Sequence, residues 1–289
     1  MAVPRVLITG CSTGFGLLAA VELAARGHDV VATMRDPGRD AALRAACDEA
    51  GVAVHVVALD VHDEVSVARG VDEAVAVLGG LDVVVNNAGI EVRGPVDLVS
   101  DAEVRLQFET NVFGLLRVVR ATVPHLRASP AGVVVNVSSI AGVIARPFAG
   151  IYAASKHAVE AISEALHFEL GLSGIRVHTV QPGQFPTGLA GNTVSADAFT
   201  PDHDGYWAIA EQLESRAKGL AGGGEPPDPA RVARTIAEVV EDPQAPLRTP
   251  VGADAELIMA ARHGATFEEY EVMMRSALDH WEGYRGERP

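Results

Sequence analysis

Short valine-rich runs alternate with longer helical patterns through the first two-thirds of the chain. The runs are continuously apolar, which is typical of parallel strands that are buried on both faces. The predicted strands are Val3–Thr9, Asp29–Met34, Ala53–Leu59, Leu81–Asn86, Gly132–Ser138 and Ile175–Val180, with a short seventh strand near Leu247–Val251. The predicted helices between them are Gly14–Arg26, Arg39–Ala50, Glu64–Gly79, Asp101–Ala128 and Tyr152–Gly171. This order predicts an α/β fold with a doubly wound, parallel, seven-stranded sheet and helices on both faces.

The regular alternation ends after Pro182. Residues 183–205 are rich in turn formers and show little periodicity, so we predict a lid-like insertion after strand six, over about residues 185–225. The helices predicted beyond this point are Tyr206–Lys218, within the lid, then Pro229–Glu241, and a C-terminal helical extension over about residues 253–285. Because no second self-contained unit is visible, we assign residues 1–289 to one domain.

Charge and cysteine content limit the function classes. The formal net charge of −15 argues against nucleic acid or an anionic membrane as a partner. Cys11 and Cys47 show no metal-ligand spacing and fit a reducing compartment. The apolar run at the N-terminus leaves no room for a signal peptide, and no apolar segment reaches the roughly 18–20 residues that span a bilayer. We therefore expect a soluble, cytoplasmic protein without a membrane partner.

One tight cluster, His62-Asp63-Glu64, carries metal-ligand chemistry. It lies where a strand-to-helix loop is expected, and solvated loop residues are far commoner there than a metal site. We predict no metal.

A glycine-rich turn joins the first strand to the first helix. Its glycines allow the backbone to approach a pyrophosphate, and the helix N-terminus offers free N–H groups and a favourable dipole. The spacing is Gly-x-x-x-Gly-x-Gly, which differs from the usual dinucleotide fingerprint. Glycine turns also serve packing alone, but the position at the start of the chain favours a nucleotide. The predicted cofactor-binding residues here are Gly10, Ser12, Thr13, Gly14, Phe15 and Gly16.

The end of the second strand bears on which nicotinamide cofactor is used. An acidic residue there would bind the ribose 2′-hydroxyl of NAD, whereas an arginine accommodates the 2′-phosphate of NADP. Met34 occupies the position expected for the acid, and Arg35 follows it. We predict a preference for NADP(H), with NAD(H) as the alternative. Asp36 is interpreted as a turn or helix-capping residue.

Asp60 and Val61 follow the third strand and are placed to meet the adenine. An ordinary turn aspartate is almost as good an explanation of Asp60.

Tyr152 and Lys156 lie four residues apart at the start of a helical pattern. One turn of helix puts their side chains on the same face. A neighbouring cation stabilises a phenolate and lowers the pKa of the phenol, so the pair can transfer a proton. The spacing is common on surface helices, and it gains meaning only from the motifs that precede it.

Taken together, these motifs resemble the short-chain dehydrogenase/reductase family. The glycine pattern that begins at Thr9 matches its cofactor signature. Further matches are Asn86-Asn87-Ala88-Gly89 after strand four, Asn111, Ser139 thirteen residues before Tyr152, and Pro182-Gly183 with Thr187. The glycine turn and Val31–Asp36 look most like the NADP-using 17β-hydroxysteroid and retinol dehydrogenase branch. Neighbouring Ser138 is assigned a structural role at the strand end.

The resemblance implies a Rossmann domain and an oxidoreductase that transfers a hydride between NADP(H) and a secondary alcohol, ketone or aldehyde. Tyr152 would exchange the proton, and Ser139 would hold the substrate oxygen. Lys156 would bind the nicotinamide ribose and, together with the oxidised ring, lower the pKa of Tyr152. Asn111 would hold a water linked to Lys156. The other residues implied to contact the cofactor are Asn87, Ala88, Gly89, Pro182, Gly183, Phe185 and Thr187.

Apolar residues in the loops near these motifs suggest a small-molecule substrate that is nonpolar. The predicted pocket lining is Ile90, Val92, Ile144, Phe148, Phe185, Leu189, Phe199, Tyr206 and Trp207; direct substrate contact is assigned to Ser139, Tyr152, Ile144, Phe148, Phe185 and Trp207. Alternatively, the lid buries a small core of its own. Glu91, Arg93 and Arg146 either recognise polar groups of the substrate or only solvate the rim.

Two other functions compete with this one. A catalytically idle nucleotide sensor or scaffold is expected to have lost Tyr152, Lys156 or Ser139, and none is lost. Sugar-nucleotide epimerases and dehydratases share Tyr-x-x-x-Lys but usually run longer and use a Gly-x-x-Gly-x-x-Gly turn.

The quaternary structure is also a family inference. Relatives often pair through the helices that begin here at Asp101 and Tyr152, which implies a homodimer or homotetramer. A terminal apolar stripe either covers a core or joins subunits; its members are Phe267, Tyr270, Met273, Met274 and Leu278.

Overall fold

A seven-stranded, fully parallel sheet forms the centre of the protein in the computed structural model, which describes residues 3–185, 193–201, 206–220 and 227–278. The strand order is β3-β2-β1-β4-β6-β7-β9. The strands are β1 (Arg5–Ile8), β2 (Asp29–Met34), β3 (His55–Ala58), β4 (Val83–Asn86), β6 (Val133–Val137), β7 (Arg176–Pro182) and β9 (Arg248–Val251). The predicted fold class, with seven parallel strands, is confirmed.

Helices cover both faces of this sheet. They are α1 (Gly14–Ala25), α2 (Ala41–Ala50), α3 (Glu64–Leu78), α4 (Asp101–Phe108), α5 (Leu115–Ala128), α6 (Gly150–Gly171), α7 (Tyr206–Leu220), α8 (Ala230–Glu241), α9 (Ala253–His263) and α10 (Phe267–Leu278). Val6 and Ile8 of β1 pack with α1 and α8, whereas Leu7 packs with α3 and α5 on the other face. Both faces of the strand are therefore apolar, which is why the strand sequences are continuous valine-rich runs.

The order of the strands determines where a ligand can bind. β1 pairs with β2 on one side and with β4 on the other, so the chain changes direction across the sheet at this point. Open α/β sheets bind ligands beyond the carboxyl ends of the strands at such a switch point. The glycine turn after β1 and the asparagine segment after β4 lie side by side there.

A partly buried ion pair joins β1 to β4 at the opposite, amino-terminal edge. The Arg5 guanidinium donates to both carboxylate oxygens of Asp82 at 2.8 Å, and the Arg5 backbone N–H donates to the same group at 2.9 Å. Ser129 Oγ adds a fourth hydrogen bond at 2.6 Å. The hydrogen bond from Arg5 is the main reason why the pKa of Asp82 falls to about 2.

The helix predicted over Asp101–Ala128 is interrupted. α4 and α5 are separated by a π-helical segment, Glu109–Gly114. Single π turns inside α-helices are frequent at functional sites. The side chain of Asn111 bonds outside its own helix, and Gly114 lies against Val61, where a Cβ would meet the valine at 2.9 Å. These contacts join sequence-distant residues, so the local helical pattern could not reveal the interruption.

A second, two-stranded parallel sheet was not predicted. It pairs β5 (Glu91–Arg93) with β8 (Thr193–Ser195) and so links the segment after β4 to the chain beyond β7. Each strand has only three residues, too few for a period-two pattern to be read.

The terminal apolar stripe divides between two environments. Tyr270 and Met274 pack on Ile140, Ile144 and Ala255, close to the predicted catalytic residues. The exposed members are Phe267 and Met273, and the side chain of Leu278 lies outside the described residues. Two of the five members of the stripe therefore cover a core.

Across the four described ranges, no helix is long and apolar enough to cross a membrane. The same ranges contain no group of three or more histidine, cysteine or acidic side chains that could hold a metal ion.

Candidate active site

Four hydrogen bonds, which we call the clamp, hold the turn between β1 and α1 against the segment that follows β4. The Asn87 side-chain amide donates to the carbonyl oxygens of Thr9 and Gly10 at 2.9 and 3.1 Å. In return, Thr9 Oγ1 accepts from the backbone N–H groups of Asn87 and Ala88 at 3.0 Å. Asn87 and Ala88 are thus brought to the glycine turn, as the sequence predicts.

This turn requires glycine. Gly10 and Gly14 have φ angles of +75° and +62°, which side-chain-bearing residues rarely adopt. A Cβ on Gly10 would lie 2.9 Å from the Ala88 backbone, and one on Gly16 would lie 2.5 Å from the Gly10 carbonyl oxygen. The backbone therefore presents an open cradle at the N-terminus of α1.

The cradle fits a pyrophosphate. The first turn of α1 has neither an acidic residue nor a side-chain cap on its N–H groups, so its donors and its positive dipole end remain free for an anion. Cys11 is fully buried, bonds the Ile8 carbonyl, and has a pKa raised by burial to about 12. The turn's outward-facing side chains are therefore those of Ser12 and Thr13.

The end of β2 carries an apolar residue and then a cation. Met34 is buried in the core, whereas Arg35 is exposed. Asp36 accepts a hydrogen bond from the Gly38 N–H at 2.9 Å and caps a 3-10 turn over Pro37–Arg39. The predicted capping role of Asp36 is confirmed.

The loop after β3 contains a turn aspartate, which is the second of the two interpretations of Asp60. The Asp60 carboxylate accepts from the His62 N–H at 3.0 Å, as a turn aspartate does, and Val61 is buried. The Asp63 carboxylate caps α3 by accepting from the Val65 N–H at 2.9 Å. The His62 ring meets Thr110 Oγ1 at 2.7 Å, so His62 and Asp63 have structural partners.

Tyr152 and Lys156 occupy successive turns at the start of α6, as predicted. The Lys156 ammonium lies 5.8 Å from the centroid of the Tyr152 ring and donates to the Val137 carbonyl oxygen at 2.8 Å. Burial lowers the pKa of Lys156 to about 8, and the negative charge of Glu160 opposes that shift.

Ser139 meets the phenol of Tyr152. It follows β6, accepts from the Ala141 N–H at 3.1 Å and donates toward the Pro182 carbonyl at 3.5 Å. Burial raises the pKa of Tyr152 to about 12, although its hydrogen bond with Ser139 acts in the opposite direction. Burial is the largest influence on this pKa, and the lowering predicted from Lys156 together with the oxidised cofactor ring stays a prediction.

Asn111 connects three parts of the site from inside the π segment. Its Oδ1 accepts from the Ile90 N–H at 2.9 Å, and its Nδ2 donates to the Ile90 carbonyl and to Ser155 Oγ at 3.0 and 3.1 Å. Asn111 thereby holds the segment after β4, which includes Gly89, against α6. Its role in holding a water stays a prediction.

A row of buried polar side chains, of which the motifs included Asn86 alone, braces α6. Asn86 donates to Asn136 at 2.8 Å, Asn136 donates to Ser163 at 2.8 Å, and Ser163 donates to the Val159 carbonyl at 2.7 Å. The row runs from β4 through β6 to α6. Ser138 is buried at the end of β6 and its N–H donates to Val180, which agrees with the structural role assigned to it.

The segment after β7 lies beside the glycine turn. The Gly183 N–H donates to the Val251 carbonyl at 2.9 Å, and the next N–H, of Gln184, donates to Asp254 at 2.7 Å. The ring of Phe185 meets that of Phe15 edge-on, with centroids 5.8 Å apart. Predicted Thr187 lies outside the described residues.

The predicted pocket residues do not form one lining. Phe148 stacks on Phe199 with centroids 5.6 Å apart and meets Tyr206 edge-on, and Phe199 contacts Trp207 at 5.0 Å. We call these four residues the aromatic cluster. Ile144 instead packs with Tyr270, and Phe185 with Phe15. The alternative of a small separate core therefore describes the aromatic cluster, and Leu189 lies outside the described residues.

Phe148 links the aromatic cluster to the catalytic residues. Its φ of +64° is the only positive value among the described non-glycine residues, and such strain concentrates at functional sites. Its carbonyl accepts from the Gly94 N–H at 2.9 Å, beside β5. Phe148 lies four residues before Tyr152, so the cluster joins the chain just ahead of α6.

Among the polar residues predicted at the rim, Glu91 and Arg146 form an ion pair of 3.0 Å. The Glu91 carboxylate is buried, whereas Arg146 is half exposed. Both charges reach Tyr152: Glu91 raises the pKa of the phenol and Arg146 lowers it. Val92, between Glu91 and Arg93 in β5, is buried, and its N–H donates to Gln107 at 2.6 Å.

Comparison with known proteins agrees with this geometry. The family model described as short chain dehydrogenase matches residues 4–198. The chain is 33% identical to 3-ketodihydrosphingosine reductase from Bacteroides thetaiotaomicron over 88% of its length and 90% of that protein, and 36% identical to human retinol dehydrogenase 8 over 86% and 81%. A crystal structure of a short-chain dehydrogenase from Streptomyces avermitilis superposes with a TM-score of 0.77 at 31% identity, covering 98% of both chains.

The chain therefore belongs to the short-chain dehydrogenase family, and the resemblance inferred from its motifs is confirmed. Family membership makes it an oxidoreductase with a nucleotide-binding Rossmann fold.

Proposed function

We propose that this oxidoreductase transfers a hydride between NADP(H) and a secondary alcohol, ketone or aldehyde that is mainly nonpolar. The proposal depends chiefly on one observation: the Tyr152 phenol is hydrogen-bonded to Ser139, with the Lys156 ammonium one helical turn away. All three lie beyond the carboxyl edge of the sheet, on the same edge as the glycine turn, where a nicotinamide cofactor would supply or accept the hydride.

Tyr152 is the proton carrier in this mechanism. Its phenol is protonated at neutral pH, as a tyrosine with an ordinary pKa of about 10 already is, and burial raises that pKa to about 12. It is therefore ready to donate a proton to a carbonyl oxygen, which is the protonation state that reduction needs. In oxidation, the phenolate would accept the proton of the alcohol, so the pKa of Tyr152 would have to fall when the cofactor is bound.

The neighbouring residues position the reacting groups. Ser139 Oγ is placed to share its hydrogen bond with the substrate oxygen as negative charge develops there. The Lys156 ammonium, held at the end of β6 by Val137, would bind the nicotinamide ribose. Asn111 keeps the segment after β4 in place against α6 and would hold the water that links Lys156 to solvent.

Arg35 supports the preference for NADP(H) over NAD(H). It is exposed directly after the strand that ends at Met34, so a 2′-phosphate could be paired without displacing a protein carboxylate. Ser12, in the glycine turn, is the helper in this assignment.

Two observations support a nonpolar substrate. The aromatic cluster joins the chain four residues before Tyr152, and those of its rings that are only partly buried would offer an apolar wall to a substrate. The two curated relatives compared above are named for 3-ketodihydrosphingosine and for retinol, each a molecule with a large hydrocarbon part and an oxygen function to oxidise or reduce.

The organisation of the whole protein is part of the proposal. We assign one domain to residues 1–289, a substrate lid to about 185–225, and a C-terminal extension to about 253–285. A homodimer or homotetramer is supported by Phe113 and Phe168, which are exposed apolar residues next to α4 and on α6. A cytoplasmic location is supported by the two cysteines, which are buried and free.

NADPH fluorescence on binding, followed by turnover with a panel of steroid, retinoid and aliphatic ketones, tests this function. Tyr152→Phe is expected to bind NADPH like the wild type and to lose turnover by about 100-fold or more, as expected when a general acid is removed. Tyr270→Phe, which removes a hydroxyl without a hydrogen-bond partner among the described residues, is the matched control and should stay active. Undiminished turnover in Tyr152→Phe would contradict the assignment, and NADPH binding without turnover in the wild type would favour an idle nucleotide sensor.

A further inference from the structure

Glu160 is a buried carboxylate that no motif of the family resemblance includes. It lies on α6, four residues after Lys156, so both side chains project from the same face of the helix. Lys156 is 7% exposed and Glu160 is 6% exposed. A charged pair this deeply buried is costly to form, so its presence needs a structural or chemical reason.

The sheet holds the Glu160 carboxylate in place. Its Oε2 accepts from Arg248 Nε of β9 at 2.9 Å and lies 3.4 Å from Thr179 Oγ1 of β7. Arg248 is shared, because its Nη2 also donates to Glu164 at 2.5 Å, one turn further along α6. No group of the described protein hydrogen-bonds Glu160 Oε1.

Charge balance shows what Glu160 contributes. Lys156 and Arg248 carry two positive charges, and Glu160 and Glu164 carry two negative charges, so the four groups are neutral together. Glu164 is about half exposed and lies two turns from Lys156, so water screens it from the ammonium. Glu160 is therefore the buried negative charge close enough to balance Lys156.

The surroundings add few other charges. The groups that face Lys156 or Glu160 from α6 and the elements packed on it are Tyr152, Ser139, Asn111, the Val137 carbonyl, Thr179, Arg248 and Glu164. Glu91 and Arg146 lie at the Tyr152 end and neutralise one another. Without Glu160, the ammonium would be left beside Arg248 with one exposed carboxylate to offset both.

We propose that Glu160 is a positioning residue for the reaction, whose buried carboxylate keeps Lys156 protonated so that the ammonium can bind the cofactor ribose beside Tyr152. This inference rests on the proposed function, because Lys156 needs its charge only if it serves the cofactor and the phenol. Burial already brings the pKa of Lys156 down to about 8, with Glu160 opposing the shift. Loss of the carboxylate lowers that pKa further, and Lys156 then becomes largely neutral at physiological pH.

The lysine content of the chain allows a direct test. Lys156 and Lys218 are the only two lysines in the sequence, so protein grown with ¹³C-lysine gives two side-chain signals, and Lys218→Arg identifies that of Lys156. The pH at which the Lys156 Cε signal titrates is expected to fall by about 1 pH unit or more in Glu160→Gln. In Glu160→Asp, which retains the charge, it should fall less.

Glu164→Gln is the matched control. It removes a carboxylate from the same helix that pairs with the same arginine, yet it should leave the Lys156 titration near that of the wild type. An unchanged Lys156 midpoint in Glu160→Gln would overturn the proposal, as would equal shifts in Glu160→Gln and Glu164→Gln, which indicate an effect through Arg248 alone.

If Glu160→Gln does not fold, Arg248→Gln provides the second test. It removes the cation that is paired with the Glu160 carboxylate, so that the negative charge acts on Lys156 alone. The titration midpoint of Lys156 should therefore rise, and an unchanged midpoint would refute the inference. The titration needs neither cofactor nor substrate. A wild type without carbonyl turnover would therefore refute the proposed function, whereas an unshifted Lys156 in an active enzyme would refute this inference alone.

Discussion

The glycine-turn side and the aromatic-cluster side of the site are built in different ways. On the first side, Gly10 and Gly16 let two backbone segments touch, and Asn87 fastens them with hydrogen bonds to main-chain atoms. On the second side, Phe148 and Phe199 meet through their rings, in a cluster that is separate from the main core. The first side is held together through backbone geometry, and the second through the shape of side chains.

This difference explains what each side can change. Backbone donors at a helix N-terminus suit any pyrophosphate, so they fix the cofactor class and tolerate few substitutions. An aromatic wall can be reshaped by exchanging side chains while the fold is kept, which alters substrate choice. Cofactor binding and substrate binding should therefore respond to separate sets of mutations.

The largest effect on cofactor binding alone is expected at Gly16. In Gly16→Ala, the new methyl group would meet the Asn87 amide and the Gly10 carbonyl, and neither can move without opening the clamp. Overpacking of this kind costs about 1–3 kcal/mol, so the Kd for NADPH, measured by fluorescence titration, should rise by up to about 100-fold. Gly171→Ala, where a Cβ meets nothing within 4 Å, is the control. Equal NADPH affinities in the two variants would show that the clamp does not form the cofactor site.

The next effect concerns how the sheet beneath the glycine turn is held together. Asp82→Asn replaces the carboxylate with an amide of the same shape and so removes the negative charge that pairs with Arg5. This loss should lower the free energy of unfolding by about 2 kcal/mol at pH 7, in line with a pKa of Asp82 that falls from 3.8 to about 2. Because the folded pKa is depressed, this stability is present above about pH 4 and is lost as pH falls toward 2. Urea unfolding followed by circular dichroism should therefore show variant and wild type converging near pH 2.

Asp72→Asn, at an exposed position on α3, controls for the loss of one charge. It should unfold like the wild type throughout this pH range. A constant difference between Asp82→Asn and the wild type down to pH 2 would contradict the role of the ion pair.

A smaller effect, on substrate binding and not on cofactor binding, is expected at Phe148. Phe148→Ala removes two ring contacts, and each is worth about 0.5–1.5 kcal/mol. The KM for an apolar ketone should rise by about 10-fold while the Kd for NADPH stays unchanged, because the clamp is untouched. Phe267→Ala, with a side chain that is 61% exposed on α10, should change neither constant. A parallel loss of NADPH affinity in Phe148→Ala would show that the two sides are not independent.

The same contrast determines how much the sequence could predict. The glycine turn, Asn87, Tyr152 and Lys156 were located correctly because each is specified by its neighbours in the chain, through strand ends, turns and helical spacing. The pocket set was predicted as one lining, whereas Ile144 and Phe148 are close in sequence yet pack against different distant partners, Tyr270 and Phe199. No local pattern contains that information.

Electrostatics was the other point at which the sequence was insufficient. The spacing of Tyr152 and Lys156 predicts a lowered phenol pKa, whereas burial raises it to about 12. Burial depends on the whole surrounding core and cannot be read from two positions. Glu160, by contrast, was within reach of the sequence, since it follows Lys156 by one helical turn.

The smallest predicted effect is on the choice between the two cofactors. Arg35 is exposed, so its attraction for a 2′-phosphate is screened by water and should amount to about 1 kcal/mol. Arg35→Ser is therefore expected to lower the ratio of kcat/KM for NADPH to that for NADH by about 5- to 10-fold, mainly through the KM for NADPH. Arg39→Ser, at an exposed position in the adjoining 3-10 turn, removes the same charge nearby and should leave the ratio within about twofold of the wild type. A wild type that already prefers NADH, or an unchanged ratio in Arg35→Ser, would contradict this prediction. The glycine-turn side would then bind the pyrophosphate without Arg35 recognising the 2′-phosphate.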